Sequence, residues 1–521
     1  MRHRRWMPGT AAVLAAVLVA GCSGSPAEFP VPPAGRSGSA GVPSTPAGPR
    51  PHLALSDCTK LIKSQISRQA GGDRDLSFSC GWMAVPVDHG RPFGRTLQMF
   101  VLRARLAGQS DRIGSLVINP GGPGGSGVEA AVGLALRLPP EVLHRFDLVG
   151  FDPRGVGLSD PVTCIPAELK DQSTAADPDA RTPAEYDAQV AMSRDVADAC
   201  YRKYGARLGA YNTTDTARDL ELLRQALGDR KLSYLGYSYG TRIGAVYATL
   251  YPDRVRTLVL DGAVDPTVDD VASTEAQARG FEDAFDEFAR DCVRRGCPLG
   301  ADPRGFLTRL LARAKARPVP TSASGDHRRA TGGNVLLAAV SALYDQGDWP
   351  RLSRALADAA RGDAKGVFEL DDDYNQRSPD GTFTNILDAN YAINCADTDQ
   401  RLTDGTIKRT LADWRRKYPL FGPTLALTLV GCQVWKGPRH PLPAVAAPSA
   451  AAVLVVGTRH DPATPYASAQ HLARALGHAA LLTWDGDGHT AYPKTPCVTR
   501  AVDAYLISDT VPAPATTCPA G

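Results

Sequence analysis

The stretch Leu232-Ser-Tyr-Leu-Gly236-Tyr-Ser238-Tyr-Gly240 carries a short run of strand character directly into a Gly-x-Ser-x-Gly turn, and residues 241–250 beyond it have helix-forming composition. At a sharp strand-to-helix turn the apex residue takes a strained backbone, so its neighbours must be small. Glycines two residues to either side of Ser238 meet that need. The three fixed letters alone are a weak signal. With 50 Gly among 521 residues, a chance match in a chain this long is roughly a one-in-three event. The strand before and the helix after give the motif its weight and point to Ser238 as a nucleophile.

Working outward, short apolar runs mark further strands. Residues 82–87 and 97–102 read as an antiparallel opening pair, followed by strands at 115–119, 146–151, 232–235 and 255–260. After a long break the pattern resumes at 452–457 and 480–484. Strands alternating with helices predict an α/β fold, a mostly parallel sheet with helices on both faces. In the break, residues 266–445, apolar residues recur at helical spacing, as in Phe281, Phe285 and Phe288 or Leu307, Leu310 and Leu311. This predicts a mainly helical insertion. An independent domain starting near 266 would leave the last two strands without a sheet to join. The expected division is a core from 52–265, a helical cap from 266–445 and the rest of the core from 446–521.

A serine hydroxyl is a poor nucleophile at neutral pH, so a base must take its proton and a carboxylate must orient that base. In sheets of this design the chain order is Ser, then Asp or Glu, then His. Of the ten histidines, His460, His471, His478 and His489 lie late enough and outside the insertion. His489 stands in the glycine-rich turn Trp484-Asp-Gly-Asp-Gly-His489-Thr after the last strand, where an imidazole can reach back across the strand ends. His471 and His478 flank a helical stretch and read as solvated. His460 reads as a loop histidine, with metal ligation or a pocket wall as the alternatives. Asp461, in Gly457-Thr-Arg-His-Asp461-Pro-Ala-Thr-Pro465 after the penultimate strand, is well placed to accept the imidazole N–H. Asp485 and Asp487 are rivals too close in sequence to His489 to face its far nitrogen easily.

An oxyanion needs backbone N–H donors that approach closely. Asn119-Pro-Gly121-Gly122-Pro-Gly124-Gly125-Ser-Gly127 supplies backbone free of side chains directly after a strand, and the N–H of Tyr239 is the second donor. A phosphate cradle is disfavoured, because no Lys-Ser/Thr follows and the prolines remove donors.

The N-terminus reads as an address. Arg2, Arg4 and Arg5 precede an apolar run at residues 11–20, and Val19-Ala20-Gly21-Cys22 resembles a bacterial lipobox with Cys22 as the lipidated residue. Residues 1–21 are thus expected to be a signal peptide. Residues 23–51 hold 8 Pro, 5 Gly and 5 Ser, a composition that cannot order itself. The segment 22–51 reads as a tether spanning about 30 Å. Formal net charge is +3, and the three leader arginines supply all of it. The remaining chain is neutral, which excludes nucleic acid as an expected partner. The apolar run is too short to span a bilayer, so membrane contact is expected through the lipid anchor alone. Beyond Cys22 ten cysteines remain, an even number that in an exported chain suggests up to five disulfides, nearest-neighbour pairing being the simplest pattern. Zinc ligation lacks any CxxC pair or HExxH, and no metal is expected.

With Gly121-Gly-Pro-Gly124, Asp152-Pro-Arg-Gly155-Val-Gly157-Leu-Ser159, Gly236-Tyr-Ser238-Tyr-Gly240 and Asp461-Pro-Ala-Thr-Pro465 assembled, the chain resembles the proline-iminopeptidase type of α/β-hydrolase serine peptidases, and among them the secreted bacterial tripeptidyl aminopeptidases. The resemblance runs from about Cys58 to Cys518. It implies an α/β-hydrolase fold with a helical cap, removing short peptides from free N-termini without metal or cofactor. By motif, Ser238 is nucleophile, Asp461 orienter, His489 base, and Gly122 with Tyr239 the oxyanion donors. Pro120 stands where proline iminopeptidases have a His, a departure that points away from single-proline removal and toward the tripeptidyl branch. The expectation is a monomeric, surface-anchored serine exopeptidase acting on peptides with a free N-terminus. An esterase or lipase on the same triad and a non-catalytic peptide-binding lipoprotein are the alternatives. An acidic group in the insertion should meet the substrate ammonium. Glu282, Asp283, Asp286, Glu287 and residues 371–373 are candidates, none singled out.

Overall fold

Strands that bury both faces need apolar side chains at nearly every position. The computed structural model, which describes residues 51–66, 74–109 and 111–520, builds its sheet centre from such segments. The signal segment, Cys22 and the tether up to residue 50 lie outside the described residues. Two strand residues, β1 (Ser56–Asp57), precede the long pair β2 (Leu76–Pro86) and β3 (Thr96–Leu106). Then come β4 (Gly114–Asn119), β5 (Phe146–Phe151), β6 (Leu232–Tyr237) and β7 (Val255–Asp261). A minor pair, β8 (Val319–Pro320) and β9 (Arg329–Ala330), sits apart from the main sheet. The chain ends with β10 (Val453–His460), β11 (Ala479–Asp487) and β12 (Thr517–Cys518). Every residue of β4, β5 and β6 is buried.

The ten-stranded sheet has the order β1-β2-β3-β5-β4-β6-β7-β10-β11-β12. Pairing is antiparallel from β1 through β3 to β5 and parallel across the rest. Side chains alternate between two layers, as the period of a strand requires. Val117, Val149, Tyr234 and Leu258 pack with Leu220, Ile243 and Leu472 on one face. Leu116, Ile118, Leu148 and Val259 pack with Ala131, Val498 and Val502 on the other. Each such side chain, fully buried, contributes about 1.5–3 kcal/mol.

Helix α1 (Tyr239–Leu250) follows β6 directly. After β7 the chain leaves the sheet, and it returns as β10 beside β7, with Leu454 opposite Val259. Between them lie mostly helices, beginning with α2 (Asp270–Arg294), whose N-terminus is capped by the Asp269 side chain accepting from Ala272 N at 2.8 Å. Phe281, Phe285 and Phe288 form one buried stripe of α2 and pack with Trp349 and Phe421. Further on comes α3 (Ile386–Asp397). A second apolar cluster joins Ile407, Leu411 and Trp414 to Tyr186 and Val190. Those two belong to the helix Pro183–Tyr204, which precedes Ser238, so the helical layer also draws on the long β5–β6 connection. The ten cysteines form five nearest-neighbour disulfides, Cys58–Cys80, Cys164–Cys200, Cys292–Cys297, Cys395–Cys432 and Cys497–Cys518. Among the described residues no helix is long and apolar enough to cross a membrane.

Candidate active site

Strand β6 runs two residues further than its apolar pattern predicts, to Tyr237, and delivers Ser238 to the turn at φ 54°, ψ −124°. That left-handed backbone is costly for a residue with a Cβ and persists only where the surroundings impose it. Ser238 N–H donates to Asp261 O at 2.9 Å, tying the turn to the end of β7. A Cβ on Gly236 would lie 2.5 Å from Gly240 O, and one on Gly240 would lie 2.7 Å from Asn119 O. Both glycines of the motif are therefore demanded by close backbone approach.

His489 and Asp461 are brought together from the ends of β11 and β10. Nδ1 of His489 lies 2.9 Å from each carboxylate oxygen of Asp461. The Asp461 side chain is fully buried and the imidazole is 9% exposed. Asp461 Oδ1 also accepts from Ala463 N and Thr464 N at 2.9 and 2.8 Å, and Oδ2 from Thr464 Oγ1 at 3.0 Å. A carboxylate so surrounded by donors stays an acceptor, so the imidazole proton sits on Nδ1 and the lone pair on Nε2. Among the described residues Nε2 is buried with no hydrogen-bond partner. Ser238 Oγ makes no hydrogen bond there either. The ring edge is nevertheless close to the turn, since a Cβ on Gly262, the residue after Asp261, would lie 3.1 Å from His489 Cε1. Nucleophile–base bonds are often long without substrate and tighten in the substrate complex.

The histidine loop is held from both sides, by contacts the motifs do not announce. Asp261, buried at the end of β7, accepts from Ala491 N at 3.0 Å and Tyr492 N at 2.7 Å. Burial pushes its carboxyl up to about 6. From the insertion, Tyr344 O accepts the His489 N–H at 2.8 Å, and the two rings meet edge to face at 5.1 Å. An acidic residue closing an apolar strand was a readable signal for Asp261. Tyr344 carried none.

The glycine-rich loop reaches the same turn. Gly121 has φ +97°, and a Cβ there would sit 2.6 Å from Tyr237 O, 2.8 Å from Ser238 Cβ and 2.9 Å from Tyr239 N. Asn119 Oδ1 accepts the Gly121 N–H at 2.9 Å. Among the described residues the Gly122 N–H has no acceptor. Tyr239, first residue of α1, has no carbonyl of its own helix to meet. Two backbone donors thus stand near Ser238 on adjoining segments. The second glycine motif supports the loop, with Asp152 accepting from Ser126 Oγ at 2.6 Å and Leu158 N at 2.9 Å.

Most of the other candidates are occupied elsewhere; Asp283, exposed on α2, makes no hydrogen bond or ion pair among the described residues. Asp485 pairs with Arg459 at 3.3 Å and Asp487 with His460 at 3.0 Å, so neither serves His489. His471 bonds Asp265, and His478 bonds Ala450 O at 2.9 Å. Glu282 accepts from Leu420 N and Phe421 N at 2.7 and 3.0 Å, and Asp371 from Asn334 at 2.7 Å. Asp286 pairs with Arg304, Asp372 with Arg328 and Asp373 with Arg351. Glu287, His460 and Asp487 lie close enough to face one ion. However, His460 turns Nδ1 to Asp487 and Nε2, at 3.7 Å, to Glu287, which Arg290 already holds. Two nitrogens aimed at separate carboxylates suit an imidazolium between two anions better than a cation.

The profile describing the alpha/beta hydrolase fold matches residues 114–496. The chain belongs to that family. It is 38% identical over 457 residues to the serine protease Hip1 of Mycobacterium tuberculosis, covering 84% of this chain and 87% of the relative. It is 35% identical over 535 residues, 99% of both chains, to a protein named carboxylesterase B from the same species. It is also 30% identical over 466 residues to the tripeptidyl aminopeptidase of Streptomyces lividans, covering 84% and 83%. This α/β-hydrolase is therefore a serine hydrolase with peptidases among its relatives, as the four motifs implied.

Proposed function

We propose that this α/β-hydrolase is an exported serine exopeptidase, anchored through lipidated Cys22, that releases tripeptides from the free N-termini of peptides. The observation that carries it is the buried Asp461–His489 pair, with Nε2 unengaged and the imidazole edge against Gly262, next to the Asp261 carbonyl that holds the strained turn at Ser238. Ser238 Oγ attacks the scissile carbonyl carbon while Nε2 takes its proton, and the N–H groups of Gly122 and Tyr239 receive the negative oxygen. His489 then gives that proton to the leaving amine as the C–N bond breaks. Water, deprotonated by the same nitrogen, attacks the acyl-enzyme and restores Ser238. The insertion, residues 266–445, limits how much peptide fits N-terminal to the cut. The relatives named serine protease and tripeptidyl aminopeptidase support peptide as substrate. Five disulfides support an oxidising compartment.

The test is mass spectrometry of products from a peptide library with free and acetylated N-termini. Tripeptides released from the free set alone are expected, and equal cutting of both sets refutes exopeptidase action. A second reading, a carboxylesterase on the same triad, is favoured by the relative of that name, which aligns over 99% of both chains. Turnover of acyl esters without turnover of alanyl-peptide amides selects it. Failure of folded protein to react with a fluorophosphonate at Ser238 removes both enzyme readings.

A further inference from the structure

We propose that helix α3 of the insertion sets both arms of the oxyanion site, and that Asp397, at its C-terminal end, is a positioning residue acting through Thr213 and Tyr239. The inference rests on the triad and oxyanion assignment above. It concerns what stands behind the two donors: Asp397, Thr213 and the Tyr239 hydroxyl act through the Tyr239 backbone.

The N-terminal half of α3 lies against the glycine-rich loop. A Cβ on Gly124 would be 2.6 Å from Ile386 O, so loop and helix backbones are in direct contact. Asn390 Nδ2 donates to Pro123 O at 3.1 Å, one residue from the donor at Gly122. The start of the helix is itself fixed. Asn385 Nδ2 donates to Gly155 O and Val162 O at 2.7 and 2.9 Å, and Asp388 accepts from Cys164 N and Ile165 N at 2.6 and 2.7 Å.

The far end reaches the other arm. Asp397, buried, accepts from Thr213 N at 2.8 Å through Oδ1 and from Thr213 Oγ1 at 2.5 Å through Oδ2. The single hydroxyl hydrogen of Thr213 is thereby committed. In the 2.5 Å contact between Thr213 Oγ1 and Tyr239 Oη, the tyrosine must therefore be the donor. The chain Tyr239 O–H to Thr213 O–H to Asp397 has one direction, fixed by the carboxylate. It anchors the side chain of the residue whose backbone N–H faces the oxyanion. The nearest cation to the carboxylate is Arg242, one turn further along α1, at 4.0 Å. The Cys395–Cys432 disulfide ties α3 to the helix Gly422–Gln433, which steadies the brace.

Asp397→Asn places an amide donor against Thr213 Oγ1, so the Thr213 and Tyr239 hydroxyl hydrogens are left one acceptor short and the chain loses its single direction. Tyr239→Phe keeps the backbone N–H and removes only the anchor, and it covers the case in which Asp397→Asn does not fold. In both variants kcat is expected to fall between about 10- and 100-fold with KM little changed, as for a misplaced oxyanion donor. Affinity for a peptide boronate, which mimics the tetrahedral adduct, should fall in the same proportion as kcat/KM. Affinity for a non-cleavable peptide should hold. Unchanged kcat in both variants, a loss carried by KM alone, or a kcat loss without loss of boronate affinity overturns the proposal. Ser238→Ala separates the two levels. Retained activity there refutes the triad itself, whereas a dead Ser238→Ala beside a fully active Tyr239→Phe refutes only the brace.

Discussion

Replacing Asp461 by Asn alters one end of one side chain and should abolish turnover by moving a proton 28 residues away in sequence. Oδ1 of Asp461 accepts from two backbone donors, Ala463 N and Thr464 N, at 2.9 and 2.8 Å. The asparagine must keep its carbonyl oxygen there, since an amide NH2 facing two N–H groups would leave three donors without an acceptor. Its NH2 then occupies the Oδ2 position, 2.9 Å from His489 Nδ1 and 3.3 Å from Thr490 N. Nδ1 then faces an amide donor at one position and, at the other, an oxygen already shared by two backbone N–H groups, so it is driven to accept and the imidazole proton moves to Nε2. A protonated Nε2 cannot take the Ser238 proton. The wrong tautomer in a serine triad costs about 10⁴ in kcat, or roughly 5 kcal/mol of transition-state stabilisation. Steady-state hydrolysis of a tripeptidyl anilide should show that loss with KM within a few-fold of wild type. The melting temperature should fall by only a few degrees, because side-chain volume and two backbone bonds are kept and only the long bond from Thr490 N is lost. A folded Asp461→Asn enzyme within tenfold of wild-type kcat would refute the assignment and shift attention to Asp261, the buried carboxylate that holds the segment after His489.

Three further outcomes follow from the same geometry. Gly121→Ala puts a methyl 2.6 Å from Tyr237 O and 2.8 Å from Ser238 Cβ at φ +97°, so kcat should drop by about 10² or more while the fold survives; near-normal kcat counts against the loop's role. Arg154, fully buried, binds Asp219 at 2.7 Å through both Nε and Nη2 and also donates to Ala210 O and Pro86 O. Arg154→Met should cost about 3–5 kcal/mol in urea unfolding, much of it recovered by pairing it with Asp219→Leu; a loss below about 1 kcal/mol contradicts this. His460 is raised above its ordinary 6.5, first by the bond to Asp487 and then by the charges of Glu287 and Asp485, against an opposing effect of burial. A raised folded-state value means that its stabilisation is complete below pH 6.5 and fades as pH climbs through the folded value. The melting temperature should fall over that interval in wild type and less steeply in His460→Gln, and identical slopes would show that the contacts of His460 with Asp487 and Glu287 contribute nothing.

Much of this was legible in the chain because backbone constraints leave marks on residue type. Central strands such as Leu-Val-Ile in β4 announce themselves by burial on both faces, and Gly236, Gly240 and Gly121 by the close approaches that exclude a Cβ. The contact between Asp461 and His489 was readable from their places after the last two long strands. What stayed hidden were contacts made by groups every residue possesses or by surfaces that meet only after folding. The Tyr344 carbonyl that receives the His489 N–H is one such group. The packing of Tyr186 and Val190 against Trp414 is another, since helical spacing shows that a helix has an apolar stripe but not which distant helix covers it.

The hidden contacts change what the insertion does. A lid that merely covered a cleft would touch the core through replaceable surface. Here it bonds the backbone of the proposed base from Tyr344, bridges Asp345 to Gly488, and presses Gly280 of α2 onto the Asp461 loop, where a Cβ would lie 2.6 Å from Pro462 O. At the other end α3 supports both segments that carry the proposed oxyanion donors. Swinging such a cap away would break the bonds that hold Asp461, His489 and Tyr239 in register, and each of those breaks is paid in transition-state stabilisation. On the exopeptidase reading proposed above, a cap seated by these contacts would measure peptide by the length that fits beneath it, tying the limit on the released fragment and the order of the proposed triad to the same helices.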